Sequence, residues 1–241
     1  DANTYRDVLL ARMSPNSVQR NLGVVKAAVN HVLLEHDLDF RNVFQAIKIK
    51  GAGSSSTDRL PITDDQLVQI TPAFASSEVA EALLILLTDT GARLAEITGL
   101  EAKDVDLDKA LLHIRPNDRR GLKTKTSTRS IPLSQRAAEC LREHKVGLSD
   151  TDPIFPAYAK PRGNDSASAM LMKRLRTVIA DKKITMHSLR HRMKDKLRNS
   201  GCPEHLSMAI LGHSANTVAA NYGSGYAIDV MRAALVKVWV E

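Results

Sequence analysis

Aromatic residues are scarce in this chain, at 4% of the total, with only four tyrosines and one tryptophan. So few flat rings argue against a stacking platform for single-stranded nucleic acid. Cysteine is nearly absent too: Cys140 and Cys202 are the only two, far apart in sequence. That excludes a disulfide framework and fits a reducing cytoplasm. No apolar run reaches about 18 residues, so neither a membrane span nor a signal peptide is expected. A GxxxxGK[ST] phosphate loop is missing, and with it the usual sign of nucleotide-driven work. No set of clustered carboxylates offers itself to a catalytic metal. Metal and cofactor are both expected to be none.

What the chain does carry is positive charge. Its 241 residues have a formal net charge of +7, which suits a polyanionic partner. The charge is unevenly spread. Arg115, Arg119, Arg120, Lys123, Lys125 and Arg129 crowd one stretch; Lys182, Lys183, Arg190, Arg192, Lys194, Lys196 and Arg198 crowd another. Such clusters neutralise phosphates and release counterions. Together with the shortage of aromatics, they point to duplex DNA. Arg20, Lys26, Arg119, Arg120, Lys125 and Arg192 are the candidate DNA contacts.

Hydrophobic spacing predicts a mostly helical chain with one small antiparallel sheet, an α+β fold. Ser14-Pro15 reads as a cap followed by proline at the first helical position, and Val18, Leu22, Val25, Val29 and Val32 recur at helical spacing. Shorter helices are expected over 5–13 and 43–49. Residues 1–50 are thin for an independent domain, and the chain begins without Met. They are expected to be the end of a longer helical domain truncated at its N-terminus. Residues 51–60, rich in Gly and Ser, read as a linker. The second domain, 61–241, opens on a capping-box pattern at Thr63 and Gln66. Helices follow at 63–71, 78–89 and 93–100, with Gly91 as a break. Strands are expected at 105–107, 111–114 and 128–133, with 115–127 as a basic hairpin loop. Beyond them, helices are expected at 134–145, 165–182, 186–199, 203–211, 214–221 and 227–239.

Cleaving a phosphodiester needs a nucleophile, positive charge on the non-bridging oxygens and an acid for the leaving oxygen. Arg93, Lys123 or Lys125, His187, Arg190, His213 and Tyr222 supply that set. A tyrosine can attack and form a covalent intermediate. Only roughly 0.1% is phenolate at neutral pH, but nearby guanidinium groups lower its pKa and a histidine can take its proton. Two arginines can clamp the non-bridging oxygens.

TGARLAEI (90–97), HSLRH (187–191) and LGHSANTVAANY (211–222), in this order, together with GLKTKTSTRSIPL (121–133), resemble the tyrosine recombinase, or phage integrase, family. The likeness covers roughly 60–241; the helical N-terminal part resembles the end of that family's core-binding domain. It implies Arg93 and Arg190 as the catalytic arginines on the scissile phosphate. It implies His187 as the histidine three residues before the second arginine, and His213 as a phosphate contact. Tyr222 becomes the nucleophile that forms a 3′-phosphotyrosyl bond and frees a 5′-hydroxyl. A hairpin lysine becomes the general acid, with Lys123 preferred over Lys125. Because the phosphotyrosine keeps the bond energy, resealing needs no ATP. The resemblance further implies a site-specific recombinase serving DNA integration or excision, as in prophages and mobile elements. It would be monomeric in solution and a homo-tetramer on two synapsed duplexes, with DNA-bending accessory proteins as possible helpers. Its two domains would clamp the duplex.

Other readings of single residues stand beside these. Tyr226 is a rival nucleophile, and Glu96 could orient Arg93 by a charged hydrogen bond. His187 and His191 have i, i+4 spacing that could face a metal, but Ser188 stands where HExxH needs glutamate, and Arg190 and Arg192 would repel a cation. Residues 193–222, broken at Gly201 and Gly212, fit a non-catalytic helix-turn-helix protein, which leaves Arg93 and the lysine hairpin unexplained. A type IB topoisomerase would share the chemistry without pairing two sites. In AIDVMRAALVKVWVE, the stripe Ile228, Met231, Leu235, Val238 and Trp239 would pack on its own domain or dock on a neighbouring protomer.

Overall fold

The computed structural model describes residues 1–53, 59–118, 128–213 and 225–239. Contacts divide the chain into two compact units, Asp1–Arg59 and Leu60–Glu241.

The first unit holds α1 (Ala2–Leu10) and α2 (Pro15–Glu35). Asp1 caps α1 by accepting from the backbone N–H groups of Asn3 and Thr4. Ser14 caps α2 through the N–H of Ser17, with Pro15 at the first helical position, where its missing N–H costs nothing. Val18 and Leu22 are the buried side chains of α2. The helix expected over 43–49 does not form. The Asn42 carbonyl oxygen accepts from the N–H of Phe44 at 2.9 Å, while its amide donates to Lys26 O and to Asn30 Oδ1. None of the side chains over 43–49 is buried, so a helix there would have no core on which to pack its apolar face.

The second unit runs α3 (Asp64–Ala75), α4 (Glu78–Thr90), α5 (Leu94–Thr98), β1 (Val105–Asp106), β2 (Leu111–Ile114), β3 (Arg129–Pro132), α6 (Gln135–Lys145), α7 (Gly163–Val178), α8 (His187–Asn199), α9 (Glu204–Leu211) and α10 (Ile228–Val236). The strands form one antiparallel sheet in the order β1-β2-β3, with Leu112 opposite both Val105 and Ile131. The Thr63–Gln66 capping box is present. α3 runs past Pro72 to Ala75, further than the expected end at 71. An interior proline costs about 3 kcal/mol; complete burial of Phe74, beyond it, offsets that cost.

α4 lies at the centre. Leu83, Leu84, Leu86 and Leu87 are all buried, and the helix packs on α3, α6 and α8. Gly91 ends it in the left-handed conformation, with φ +61°. A Cβ there would lie 2.7 Å from both Leu211 Cδ2 and Met193 Cγ. Only glycine lets the α4–α5 turn press against α8 and α9.

The apolar stripe of α10 is spent within its own unit. Met231, Leu235 and Val238 are buried, the helix packs on β3, and Trp239 Nε1 donates to Asp89 O at 2.9 Å. No helix among the described residues is long and apolar enough to cross a membrane.

Candidate active site

Three separate segments bring arginines to the C-terminal end of α9. Its last carbonyls, like those of any helix, lack intrahelical partners and carry partial negative charge. Arg129, first residue of β3, donates from Nε to Ile210 O at 2.8 Å. Arg190, on α8, donates from Nη2 to Leu211 O at 2.6 Å and from Nη1 to Gly91 O at 2.8 Å. Arg93, at the start of α5, donates from Nη2 to Gly212 O at 3.3 Å. Three successive carbonyls thus gather three guanidinium groups, and His213 follows directly. Gly212 turns the chain there in the left-handed conformation.

Glu96 is the carboxylate of the cluster and is only 3% exposed. Its Oε2 accepts from the backbone N–H of Arg93 at 2.9 Å and its Oε1 from Arg93 Nη1 at 2.7 Å. Arg129 Nη2 donates to Oε2 at 2.9 Å. Burial alone would raise the Glu96 pKa; the Arg129 fork and the two Arg93 bonds outweigh it and hold the carboxyl at about 2. Arg190 is 3% exposed. Burial first, then repulsion from Arg93 and Arg129, pulls its pKa down to about 9. It stays charged at neutral pH, under electrostatic stress that a bound anion would relieve. His213 is pushed down to about 4 by burial and by the charges of Arg190, Arg93, Lys194 and Arg129. Its ring is neutral at neutral pH and can donate one N–H.

His187 opens α8 and is exposed, with its ring edge-on to His191 at 4.9 Å between centroids. The described residues contain no group of three metal-ligating side chains. Tyr226 is exposed, just before α10. Tyr222, Lys123, Lys125, Arg119 and Arg120 lie outside the described residues. The legs of the hairpin do not. Arg115 Nε donates to the fully buried Asp104 at 2.6 Å, and Asn117 to Gly99 O at 2.9 Å.

The expectation for Arg192 needs correction. Expected at a DNA surface, it is 4% exposed and its guanidinium grips Asp64 in the first turn of α3. Turned into the fold, it joins α8 to α3 through Asp64, which Lys196 Nζ also approaches at 3.5 Å. Of the other candidate DNA contacts, Arg20 is exposed and Lys26 half-buried, both on α2. Sequence reasoning also missed Arg129, counting it only as one charge in a basic run. Strand phase was the available signal: residues 129 and 131 share a face, and Ile131 is in the core.

Comparison with known proteins puts this geometry in context. Residues 61–226 match the profile of the phage integrase family. The tyrosine recombinase XerD of Corynebacterium glutamicum is 27% identical over 224 residues, covering 87% of this chain and 70% of that protein. The integrase of the Tn1549 transposon, solved with a circular intermediate DNA, superposes with a TM-score of 0.70 at 19% identity, covering 99% of this chain and 84% of that one. A lambda integrase tetramer bound to a Holliday junction gives 0.67 at 19% identity, covering 91% and 62%.

Proposed function

Because the chain belongs to the phage integrase family, whose members break and rejoin DNA strands, we propose that it is a site-specific tyrosine recombinase acting through a 3′-phosphotyrosyl intermediate. The observation that carries this reading is the gathering of Arg93, Arg190 and His213 at the end of α9, around a site with an excess of positive charge. Each guanidinium has five N–H donors. The carbonyls orient Arg190 with two of them and leave the group able to take a phosphate oxygen as well.

In the proposed reaction, Tyr222 Oη attacks the scissile phosphorus in line with the 5′ oxygen. Arg93 and Arg190 bind the non-bridging oxygens as charge builds there. His213, neutral, donates one further hydrogen bond, and His187 stands by to accept the phenol proton. The P–O5′ bond breaks, and Lys123 gives its proton to the departing oxygen. Such acid catalysis is worth roughly 10²–10⁴-fold. Rejoining runs the same steps backward: a 5′-hydroxyl attacks the phosphotyrosine and Tyr222 leaves.

Residues 1–50 would add a helical DNA-gripping surface through Arg20 and Lys26, with Arg119, Arg120 and Lys125 contacting DNA from the hairpin. Assembly as a tetramer on two duplexes, in the cytoplasm, with or without DNA-bending helpers, completes the proposal.

The test starts from nicked duplexes randomised around the nick. The wild-type chain is incubated with this library in EDTA, and covalently bound DNA is recovered on a denaturing gel. An adduct present in the wild type and absent in Tyr222→Phe is the expected result. Survival of the adduct in that variant would move the nucleophile to Tyr226, and DNA binding without any adduct would favour the helix-turn-helix reading. Recombined products from two selected sites, in contrast to simple relaxation of a supercoiled circle, separate recombinase from topoisomerase.

A further inference from the structure

Arg129 plays no part in the mechanism above, yet its side chain is only 5% exposed and is fully engaged with the site. Its fork meets both oxygens of Glu96, Nη2 on Oε2 at 2.9 Å and Nη1 on Oε1 at 3.3 Å. The third nitrogen, Nε, holds Ile210 O. The fold keeps space for it: a Cβ on Gly212 would come within 2.6 Å of Arg129 Nη1 and 2.9 Å of Cζ. The same Glu96 oxygens hold Arg93.

Formal charge shows what that sharing achieves. Arg93 and Glu96 alone would be a neutral pair, and the arginine would offer little attraction to an anion. Adding Arg129 balances Glu96, so the positive charge of Arg93 is left over. Arg190 makes its bonds to carbonyls, so the cluster of three arginines and one glutamate carries a formal net charge of about +2. Arg129 also removes the rotational freedom of the carboxylate on which the Arg93 guanidinium rests. Lysine could not do all this, because one ammonium cannot form the planar fork and reach a separate carbonyl.

We propose that Arg129 is a positioning residue for strand cleavage: it fixes and neutralises Glu96, so that Glu96 orients Arg93 without cancelling its charge toward the DNA phosphate. This rests on the reading that Arg93 and Arg190 hold the scissile phosphate. Arg129 acts on substrate chiefly through Glu96 and Arg93, without touching the phosphate itself.

The test compares adduct formation by wild type, Arg129→Ala, Arg129→Lys and Arg129→Ala with Glu96→Gln. The probe is the nicked duplex that wild type selects from the randomised library. It is made in two forms, with an ordinary phosphodiester or an uncharged methylphosphonate at the scissile position. Rates are taken below the melting temperature of every variant. On the phosphodiester, Arg129→Ala is expected to be about 10–100-fold slow, as when support behind a directly acting group is removed. Arg129→Lys should be slowed less. On the methylphosphonate, which needs less positive charge, the Arg129→Ala defect should shrink. Adding Glu96→Gln should recover about tenfold on the phosphodiester, because the unbalanced negative charge is gone. A residue that only fastens β3 to α9 would slow both probes by the same factor, and that result overturns the proposal. So does a double variant no faster than Arg129→Ala. Should Arg129→Ala melt too early, Arg129→Lys is judged by the same two-probe ratio. If wild type forms no adduct, the reading of the site fails and this proposal with it; an adduct that survives Tyr222→Phe moves only the nucleophile, and the Arg129 comparison is then read on that adduct. A normal wild-type adduct with an unchanged ratio removes Arg129 alone.

Discussion

The two units of the chain are held together by different means. Among the described residues of the first, Val18 and Leu22 are the only buried hydrophobics, while Leu34 is 82% and Phe40 73% exposed. Its order comes from caps and from side chain–backbone bonds such as those of Asn42. The second unit closes a continuous core around α4 and then buries charge on top of it, with Glu96, Asp104, Arg190 and Arg192 all under 5% exposed. A core that dense can hold arginines at fixed distances from one another. A pair of capped helices can present charge to a partner but cannot stress it. The proposed chemistry is placed in the unit that can.

The largest effect that would break this contrast is on catalysis. Arg190→Ala removes the proposed donor to the phosphate and leaves Gly91 O and Leu211 O without their guanidinium. Loss of one such donor typically costs about 10²–10³ in rate, so adduct formation should fall by that factor. Arg20→Ala, on the exposed side of α2, should weaken DNA binding and its salt dependence and leave the rate on bound DNA nearly intact. Equal losses in rate on bound DNA from both substitutions would erase the distinction between a chemical unit and a gripping one.

Next in size is stability. Leu86→Ala, at a fully buried position in α4, should cost about 2–5 kcal/mol by lost transfer energy and a cavity. Leu22→Ala, with few apolar neighbours to lose, should cost less and leave the melt of the second unit unmoved. Denaturant unfolding followed by hydrogen exchange in each unit measures both.

How much of this could be read from the sequence follows the same line. The strand 111–114, the capping box at Thr63 and the Gly91 break are local patterns, and the structure has them where the pattern puts them. The short expected helix at 43–49 failed for want of a core, because none of its side chains is buried. Arginines were the harder case. A run of basic residues looks the same in sequence whether it faces solvent or is folded inward. Arg192 went into the fold because Asp64 lies 128 residues earlier in the chain, a distance no local pattern spans. Arg129 could have been caught by strand phase, but its partners, Glu96 and Ile210 O, are just as remote. Motif order named the candidate residues of the site; only the fold shows that three of its arginines share one helix end.

Acid should act mainly on the second unit. Glu96 sits at about 2, below the ordinary 4.5 of its side chain, so folding favours its ionised form. That contribution is complete above about pH 4.5 and is lost as pH falls through 2. For so buried a carboxylate it amounts to about 3 kcal/mol at most. His213 at about 4 lies below its ordinary 6.5, so the folded chain resists protonation there. Stability from this source is complete above pH 6.5 and drains away toward pH 4. Denaturation midpoints followed from pH 7 to 2 should fall in these two windows. His213→Gln should flatten the upper window and Glu96→Gln the lower one. A pH profile unchanged by either substitution would mean the charge network is not under the stress its burial implies.

The smallest effect is the most direct comparison between the units. Ser14 and Thr63 make the same chemical contact, a hydroxyl accepting from the N–H three residues on, at the start of α2 and of α3. Either change to Ala should cost about 1 kcal/mol locally. The consequence depends on what the helix is tied to. α3 carries Leu67, Ile70 and Phe74 into the core, so Thr63→Ala should lower the cooperative melting temperature of the whole second unit. α2 is anchored by Val18 and Leu22, so Ser14→Ala should appear as faster amide exchange in its first turns, with the main melt unchanged. If Ser14→Ala lowered the main melt as much as Thr63→Ala, the two units would be one cooperative body, and the separation between gripping and chemistry would have no basis in stability.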